Sequence, residues 1–407
     1  MGNLVAFTGG GTGGHVFPGI AVIEALRDYN ITEVCWIGSP RGVERAIVES
    51  WGIPFYAVPA GKLRRYFSLH TFVDAFRVPA GFLCALYRLK KISPAFVFSK
   101  GGYVAVPVVA AARMLGIPCY THDSDLDPGL ATKLNSRFVD RVLVAYEQSR
   151  NYFAPRVRTK VVVTGNPVRK AVSAGVASRG RKFLGIRSQG RPVLLFLGGS
   201  LGAAEINTLV SQALPRLTDR CFVVHQTGNQ GGNGDEPSKT TGELGEQGDT
   251  SYYAASFFSS EYPDILAAAQ LVVCRAGAGT VWELAVSGTP AVLIPLGLEG
   301  SRGDQLRNAE LYAASGAARI LPSGDTTVDI LVDEIFSLLD DPKKQADMST
   351  AARSFAGRDS ADIIAQMISC EIHGTTVCST GDEPLVENTP DHSATDHSAT
   401  DAPTGEW

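Results

Sequence analysis

A strand, a glycine turn and a helix open this chain, and that opening recurs. Leu4-Val5-Ala6-Phe7 is an apolar run, Gly9-Gly10-Gly11-Thr12-Gly13-Gly14-His15 follows it, and Ile20–Leu26 has a helical pattern. Such a turn brings backbone N–H groups close to an anion, and the helix dipole favours negative charge there. A structural turn needs the glycines but not an imidazole at the mouth of the helix. His15 is therefore a candidate functional residue.

Further strand-like runs alternate with helical patterns: Glu33–Ile37, Ala95–Phe98, Arg141–Ala145, Lys160–Thr164, Pro192–Leu197, Cys221–His225, Leu271–Cys274 and Pro290–Ile294. Continuous Val/Leu/Ile runs mark parallel strands buried on both faces, joined by helical crossovers. The opening repeats where Pro192–Leu197 runs into Gly198-Gly199-Ser200-Leu201-Gly202 and then Ile206–Val210. We expect two doubly wound α/β domains facing each other across a deep cleft. The boundaries read as 1–165, 166–345, a C-terminal helix over 346–370 packing back on the first domain, and a disordered acidic tail over 371–407. Gly165-Asn166-Pro167-Val168-Arg169 is the expected hinge, and 228–250 a long polar loop.

The tail accounts for the net charge. Its eight acids without a single Lys or Arg turn +4 for residues 1–370 into −4 for the chain of 407. It repeats Asp-His-Ser-Ala-Thr at 391–395 and 396–400 and is too polar to fold. The seven cysteines lack metal or redox spacing and read as small buried residues of a reducing compartment. No signal peptide or spanning helix is expected, and Ala6 breaks a myristoylation motif.

Several motif chemistries fall away. Gly9-x-Gly11-x-x-Gly14 matches a dinucleotide fingerprint, but the second strand ends in Gly38-Ser39 rather than an acid for the ribose. No Walker loop, HExxH or GxSxG elbow is present. Ser200 reads instead as an anion-loop donor. A third strand–turn–helix, Val272–Glu283, puts Thr280 near a helix start where it can hold phosphate. Glu283 then has two readings: the partner of Thr280 in a capping box, or a carboxylate for ribose hydroxyls. Gln305 and Asn308 lie one turn apart, as sugar-binding amides or as a solvated helix start.

Gly9–Gly19 (GGGTGGHVFPG), Gly101-Gly102-Tyr103, Gly165–Arg169 (GNPVR), Gly198–Asn207 (GGSLGAAEIN), Cys274–Glu283 and Asp304–Asn308 stand in the order and spacing of one family. Residues 3–365 resemble the MurG family of bacterial cell-wall N-acetylglucosaminyltransferases. The resemblance implies a GT-B fold and an inverting, metal-independent and cofactor-free transfer of GlcNAc from UDP-GlcNAc to lipid I, giving lipid II. It implies that Thr12, Gly13, Gly14 and His15 face the donor sugar and diphosphate. Arg169 and Ser200 would hold the diphosphate, and Ala278, Gly279 and Thr280 would hold phosphate. Glu283 would take the ribose, Gln305 the GlcNAc hydroxyls with Asn308 in support, and the backbone at Phe258-Ser259 the uracil. Two motifs depart from the family. His122-Asp123-Ser124-Asp125 replaces His-Glu-Gln-Asn, so that Asp125 stands where an asparagine touches the donor, and Arg275-Ala276-Gly277-Ala278 replaces Arg-Ser-Gly-Ala. An anion at 125 is costly beside a diphosphate unless it turns away or is neutralised. The loop Gly297–Gly303 is slightly long.

Inverting displacement of UDP needs a base for the acceptor 4-hydroxyl and a hold on the departing diphosphate. His15 is the expected base, with Asp123 or His122 as rivals, unless it only donates a hydrogen bond to sugar or phosphate. Lys62, Arg64, Arg65, Arg77, Arg88, Lys90 and Lys91 interleave with Phe67, Phe72, Phe76, Phe82, Leu83 and Tyr87. That pattern fits either an amphipathic core helix or a patch on anionic lipid, and the resemblance favours the patch. It also implies residence on the cytoplasmic face of the bacterial inner membrane and a place in a cell-wall synthesis complex, with no nucleic-acid partner. Alternatives are a diacylglycerol glycosyltransferase, a UDP-GlcNAc 2-epimerase and an inactive membrane scaffold.

Overall fold

The computed structural model describes residues 3–10, 13–40, 42–61, 69–186, 190–199, 202–228, 251–297 and 303–375, with backbone alone at 43 and 69–77. Thr12, Ser200, Lys62, Arg64, Arg65, Phe67, the loop from 229 to 250 and the chain from 376 on lie outside the described residues, as do the side chains of Phe72, Phe76 and Arg77.

The first sheet has seven parallel strands, β1 (Val5–Thr8), β2 (Val34–Gly38), β3 (Phe55–Ala57), β4 (Phe96–Ser99), β5 (Cys119–Asp123), β6 (Arg141–Val144) and β7 (Val161–Val163). Their order is β3-β2-β1-β4-β5-β6-β7. The second has six parallel strands, β8 (Val193–Leu197), β9 (Phe222–Gln226), β10 (Tyr252–Ala255), β11 (Leu271–Cys274), β12 (Ala291–Leu293) and β13 (Ala318–Ile320), ordered β10-β9-β8-β11-β12-β13. In both, the order reverses beside the central strand, β1 or β8. Ligands of doubly wound sheets bind outside the carboxyl ends of the strands at such points.

Alternate residues of each strand feed opposite faces. Phe7 registers between Trp36 and Phe98 and packs with the helix Gly13–Leu26. Ala6, Val97 and Cys119 face the other way, against Ala85, Leu89 and Val108. Covered on both sides, the strands can be apolar throughout, as their sequences are. Among the described residues no helix is long and apolar enough to cross a membrane.

The C-terminal segment is two helices rather than one over 346–370. Pro342–Ala356 ends at Gly357 (φ 61°), and Ser360–His373 restarts where Asp359 accepts from the N–H groups of Ala361 and Asp362. The first packs on the helix Ala278–Ser287 of the second lobe and the second on Gly13–Leu26 of the first. Ile364 and Ile368 are buried in the core of the first sheet, each contributing about 1.5–3 kcal/mol. The last helix also reaches past the expected start of the tail. Glu371 lies on it and accepts a 2.7 Å hydrogen bond from the Tyr120 hydroxyl.

Gly165, at the link between the sheets, has a φ of 76°, and a Cβ there would lie 2.2 Å from Ser360 Oγ and 3.0 Å from the Trp282 ring. Gly165→Ala should therefore destabilise the protein by more than about 1 kcal/mol, combining backbone strain with a clash. A lowered denaturant midpoint checks this, and an unchanged midpoint would show that the link relaxes freely.

Candidate active site

Three helices begin at the carboxyl ends of central strands: Gly13–Leu26 after β1, Ala204–Thr218 after β8 and Ala278–Ser287 after β11. The last two start from Ala203 and Gly277 with no side chain capping them. Among the described residues no side chain takes up these N-cap positions, as suits helix starts that meet an anion. Gly13–Leu26 and Ala278–Ser287 approach each other across the two lobes. On the first sheet, a Cβ at Gly102 (φ 80°) would stand 2.5 Å from the Gly10 carbonyl oxygen, so two glycine turns pack backbone on backbone.

Gly13 and Gly14 begin the first helix, and His15 is its third residue, half-buried with its ring beside Gly101. Arg169 begins the second lobe's first helical turn and lays its guanidinium over the Phe17 ring, 5.0 Å from the centroid. From there it attracts two carboxylates, Glu24 and Glu283. Burial pushes the Glu283 carboxyl above its ordinary range, while Arg169 and the Tyr262 hydrogen bond pull it back.

Thr280 and Glu283 do not form a capping box. The cap is Gly277, Ala278 and Gly279 are the first two helical residues, and Thr280 is the third. Glu283 is one turn further and accepts a 2.9 Å hydrogen bond from the Tyr262 hydroxyl. Asn308 is not on a solvated helix start either. It is fully buried, its Oδ1 accepts from Leu126 N (3.3 Å), and its Nδ2 donates to Asp125 Oδ1 (3.1 Å). It thus ties the helix Asp304–Ala314 to the turn after β5 and holds Asp125 in place. Gln305 Oε1 accepts from Leu296 N at 3.1 Å, which fixes the loop after β12.

The expected rival bases are occupied. Asp123 Oδ1 and Oδ2 accept from the backbone N–H groups of Asp125 (3.1 Å) and Gly129 (2.9 Å), closing the turn that presents 124–128. His122 is buried, with Nε2 2.9 Å from the Gly165 carbonyl. Burial, and then the neighbouring Lys100 ammonium, hold its pKa well below the ordinary value. Arg275 is tied to Glu205 at 2.9 Å and to the Ile294 carbonyl at 2.9 Å, a structural brace between the helix Ala204–Thr218 and β12. Ser259 is exposed on the turn after β10, next to a buried Phe258 whose N–H donates to Gln226 Oε1 at 3.3 Å.

Sequence reasoning misses Tyr262, Glu44 and Lys100. Tyr262 carries no local signal. Glu44 opens the helix Val43–Ser50, and its buried carboxylate accepts from Ser39 N at 3.0 Å while lying against Gly10. Lys100 had a readable signal, a lone lysine between the buried strand Phe96–Ser99 and the Gly101-Gly102 turn.

The glycosyltransferase family 28 N-terminal domain matches residues 5–144 and the family 28 C-terminal domain residues 193–367. A Treponema denticola protein named UDP-N-acetylglucosamine--N-acetylmuramyl-(pentapeptide) pyrophosphoryl-undecaprenol N-acetylglucosamine transferase is 43% identical, with 89% of this chain and 96% of its own covered. A Treponema pallidum protein of the same name is 48% identical over 79% of this chain and 83% of its own. The crystal structure of Acinetobacter baumannii MurG superposes with a TM-score of 0.66 at 26% identity, covering 90% of this chain and 99% of that one. The two family models together take in both sheets and both glycine-turn openings. The chain belongs to the MurG family of UDP-N-acetylglucosamine–N-acetylmuramyl-(pentapeptide) pyrophosphoryl-undecaprenol N-acetylglucosamine transferases.

Proposed function

We propose that the protein transfers N-acetylglucosamine from UDP-GlcNAc to the 4-hydroxyl of MurNAc in lipid I, with inversion, making lipid II for peptidoglycan. The observation that carries this reading is the approach of the two helices that follow glycine turns, Gly13–Leu26 and Ala278–Ser287, with Arg169 over Phe17 of the first and attracting Glu283 of the second. Such a pair suits a sugar diphosphate, because backbone dipoles and a guanidinium stabilise the charge that grows on the leaving phosphate. The first lobe, residues 1–165, takes the lipid acceptor, and the second, 166–345, takes the nucleotide sugar.

His15 takes the proton of the attacking hydroxyl. Its half-buried ring stands at a glycine-turn helix start, whereas His122 is buried in the core and Asp123 closes its own turn. Glu283 binds the ribose hydroxyls, oriented by Tyr262. Thr280, with the N–H groups of Ala278 and Gly279, binds phosphate, and Ser200 and Thr12 add hydroxyls from the other turns. Gln305 meets the GlcNAc hydroxyls, the backbone at Ser259 meets uracil, and Asn308 positions Asp125 at the edge of the donor site.

The acceptor is anchored in a membrane, so the enzyme works at its surface, on the cytoplasmic face of the inner membrane and alongside other cell-wall enzymes. The helix Leu69–Ile92 exposes Val78, Leu83 and Tyr87, the last two at 62% each, and its last turn carries Lys90 and Lys91. Exposed apolar and cationic side chains on one helix suit insertion among anionic headgroups.

UDP release should occur from UDP-GlcNAc only when a lipid I analogue is present in detergent. Release without acceptor, with ManNAc formed, would make the protein an epimerase, and no release with intact donor binding would make it an inactive relative. His15→Ala should lower turnover about a hundredfold or more. Glu283→Ala should weaken UDP binding about tenfold, an effect that calorimetry measures directly. For the membrane face, Leu83→Ser with Tyr87→Ser should cut co-sedimentation with anionic vesicles about tenfold or more while UDP-GlcNAc binding stays unchanged. Equal sedimentation of this variant and the parent would place the membrane contact elsewhere.

A further inference from the structure

Lys100 is buried under the first glycine turn, and no step above uses it. It follows β4, and its backbone N–H donates to the Thr8 carbonyl at 2.8 Å. Its side chain is 2% exposed and runs beneath Gly9 and Gly19 to the end of β5. Nζ donates to Ser124 Oγ at 2.9 Å and lies 2.5 Å from His122 Nδ1. The other ring nitrogen of His122 faces the Gly165 carbonyl, which only accepts, so Nε2 carries the proton and Nδ1 is left to accept from the lysine. Ser124 in turn donates to Asn166 Oδ1 at 2.6 Å. Both branches, through His122 and through Ser124, end on the link between the lobes.

The charged groups that face this amine come from β5 and its turn. They are Asp123 and Asp125, both attracted to it. On the Gly13–Leu26 helix His15 lies beside Gly101, and from the link the neutral Gly165 and Asn166 meet the partners of the amine. The two carboxylates and the ammonium thus attract each other at the end of β5. A space-filling residue would not need an amine here, because burying one is costly.

We propose that Lys100 is an electrostatic positioning residue for the donor: its buried ammonium offsets Asp123 and Asp125, so that an anionic nucleoside diphosphate sugar is accepted at the cleft. This rests on the reading of the chain as a UDP-sugar transferase. Burial lowers the lysine pKa to about 7, against the pull of Asp123 and Asp125. The ammonium is therefore present below neutrality and lost as pH rises through that region, when the floor becomes more negative and donor binding should weaken.

The test is UDP-GlcNAc binding to the full chain by calorimetry from pH 6 to 9, with steady-state kinetics alongside. Lys100→Met should raise the Kd for UDP-GlcNAc about tenfold at pH 6 and flatten its rise with pH, with kcat changed much less. Asp125→Asn in the Lys100→Met background should recover most of the affinity, because it removes the uncompensated charge. Asp125→Asn alone, which keeps the lysine, should move the weakening of binding to lower pH. Folded Lys100→Met with the parent's Kd and pH profile would overturn the proposal. A loss that Asp125→Asn does not relieve would do the same, since it would mark a packing role. Should Lys100→Met fail to fold, the pH shift of Asp125→Asn alone decides, and its absence refutes the proposal. A parent protein that binds no UDP-GlcNAc at any pH would instead overturn the donor reading itself.

Discussion

The joint at Trp282 sets where everything in the cleft points. Its indole N–H donates to the Tyr146 hydroxyl at 3.0 Å, and its ring lies 5.7 Å from Tyr146 and 5.5 Å from Phe355. Phe355 packs in turn on Tyr312 at 5.0 Å, and Gly165 lies under the indole edge. Strand ends, link and helices from both lobes thus meet on one side chain. Aromatic pairs at such distances add about 0.5–1.5 kcal/mol each beyond the area they bury. Geometry matters more than energy here. Glu283 follows Trp282 on the same helix, about 100° further round, so seating the indole in the joint aims the carboxylate at Tyr262 and Arg169. A helix that rotated would lose both contacts together.

Much of this architecture is legible in the sequence where burial on both faces makes a strand apolar throughout. Val193–Leu197 and Leu271–Cys274 are central strands, and their runs announce them. β3 and β13 are sheet edges of three residues each, Phe-Tyr-Ala and Ala-Arg-Ile, too short for any period to show. β5 is hidden for another reason: it is central but ends in Thr-His-Asp, because its last residues serve the cleft and the joint rather than the core. At the C-terminus, composition placed Glu371 in the tail, and only its contact with Tyr120, 251 positions away, reveals it as part of the fold. The break at Gly357 with Asp359 as a cap was readable from local rules.

The site divides the same way. Backbone features that one segment builds alone, the glycine turns and helix starts, are visible as local patterns. The partners that assign a role to each side chain are distant in sequence. Asn308 and Asp125 are 183 positions apart, and no spacing rule joins them. The spacing of Thr280 and Glu283 fits a capping box, yet Gly277 takes the cap and leaves the threonine one turn inside. The resemblance to the family supplied the ribose reading of Glu283 that spacing alone did not favour. It offered nothing for Lys100, which stands outside the quoted motifs although it adjoins one.

The groups available to hold an anion differ in how they respond to their surroundings. Helix N–H groups carry partial charge that does not titrate, and a guanidinium stays charged at any physiological pH. A hold built from the helix starts at Ala204 and Ala278 with Arg169 is therefore indifferent to pH. Asp123 and Asp125 work against it from the floor of the first lobe. The backbone N–H groups that meet Asp123 and the Asn308 amide that meets Asp125 are neutral and do not cancel a carboxylate's charge. Lys100 is itself buried, and its ammonium attracts both half-buried carboxylates from below. Its stem packs against Gly19 and against Gly9, in the same turn whose Gly10 meets Gly102 backbone to backbone, so a charged side chain and a tightly packed glycine turn occur together. The turn presents backbone to the ligand, and the lysine compensates for what lies underneath.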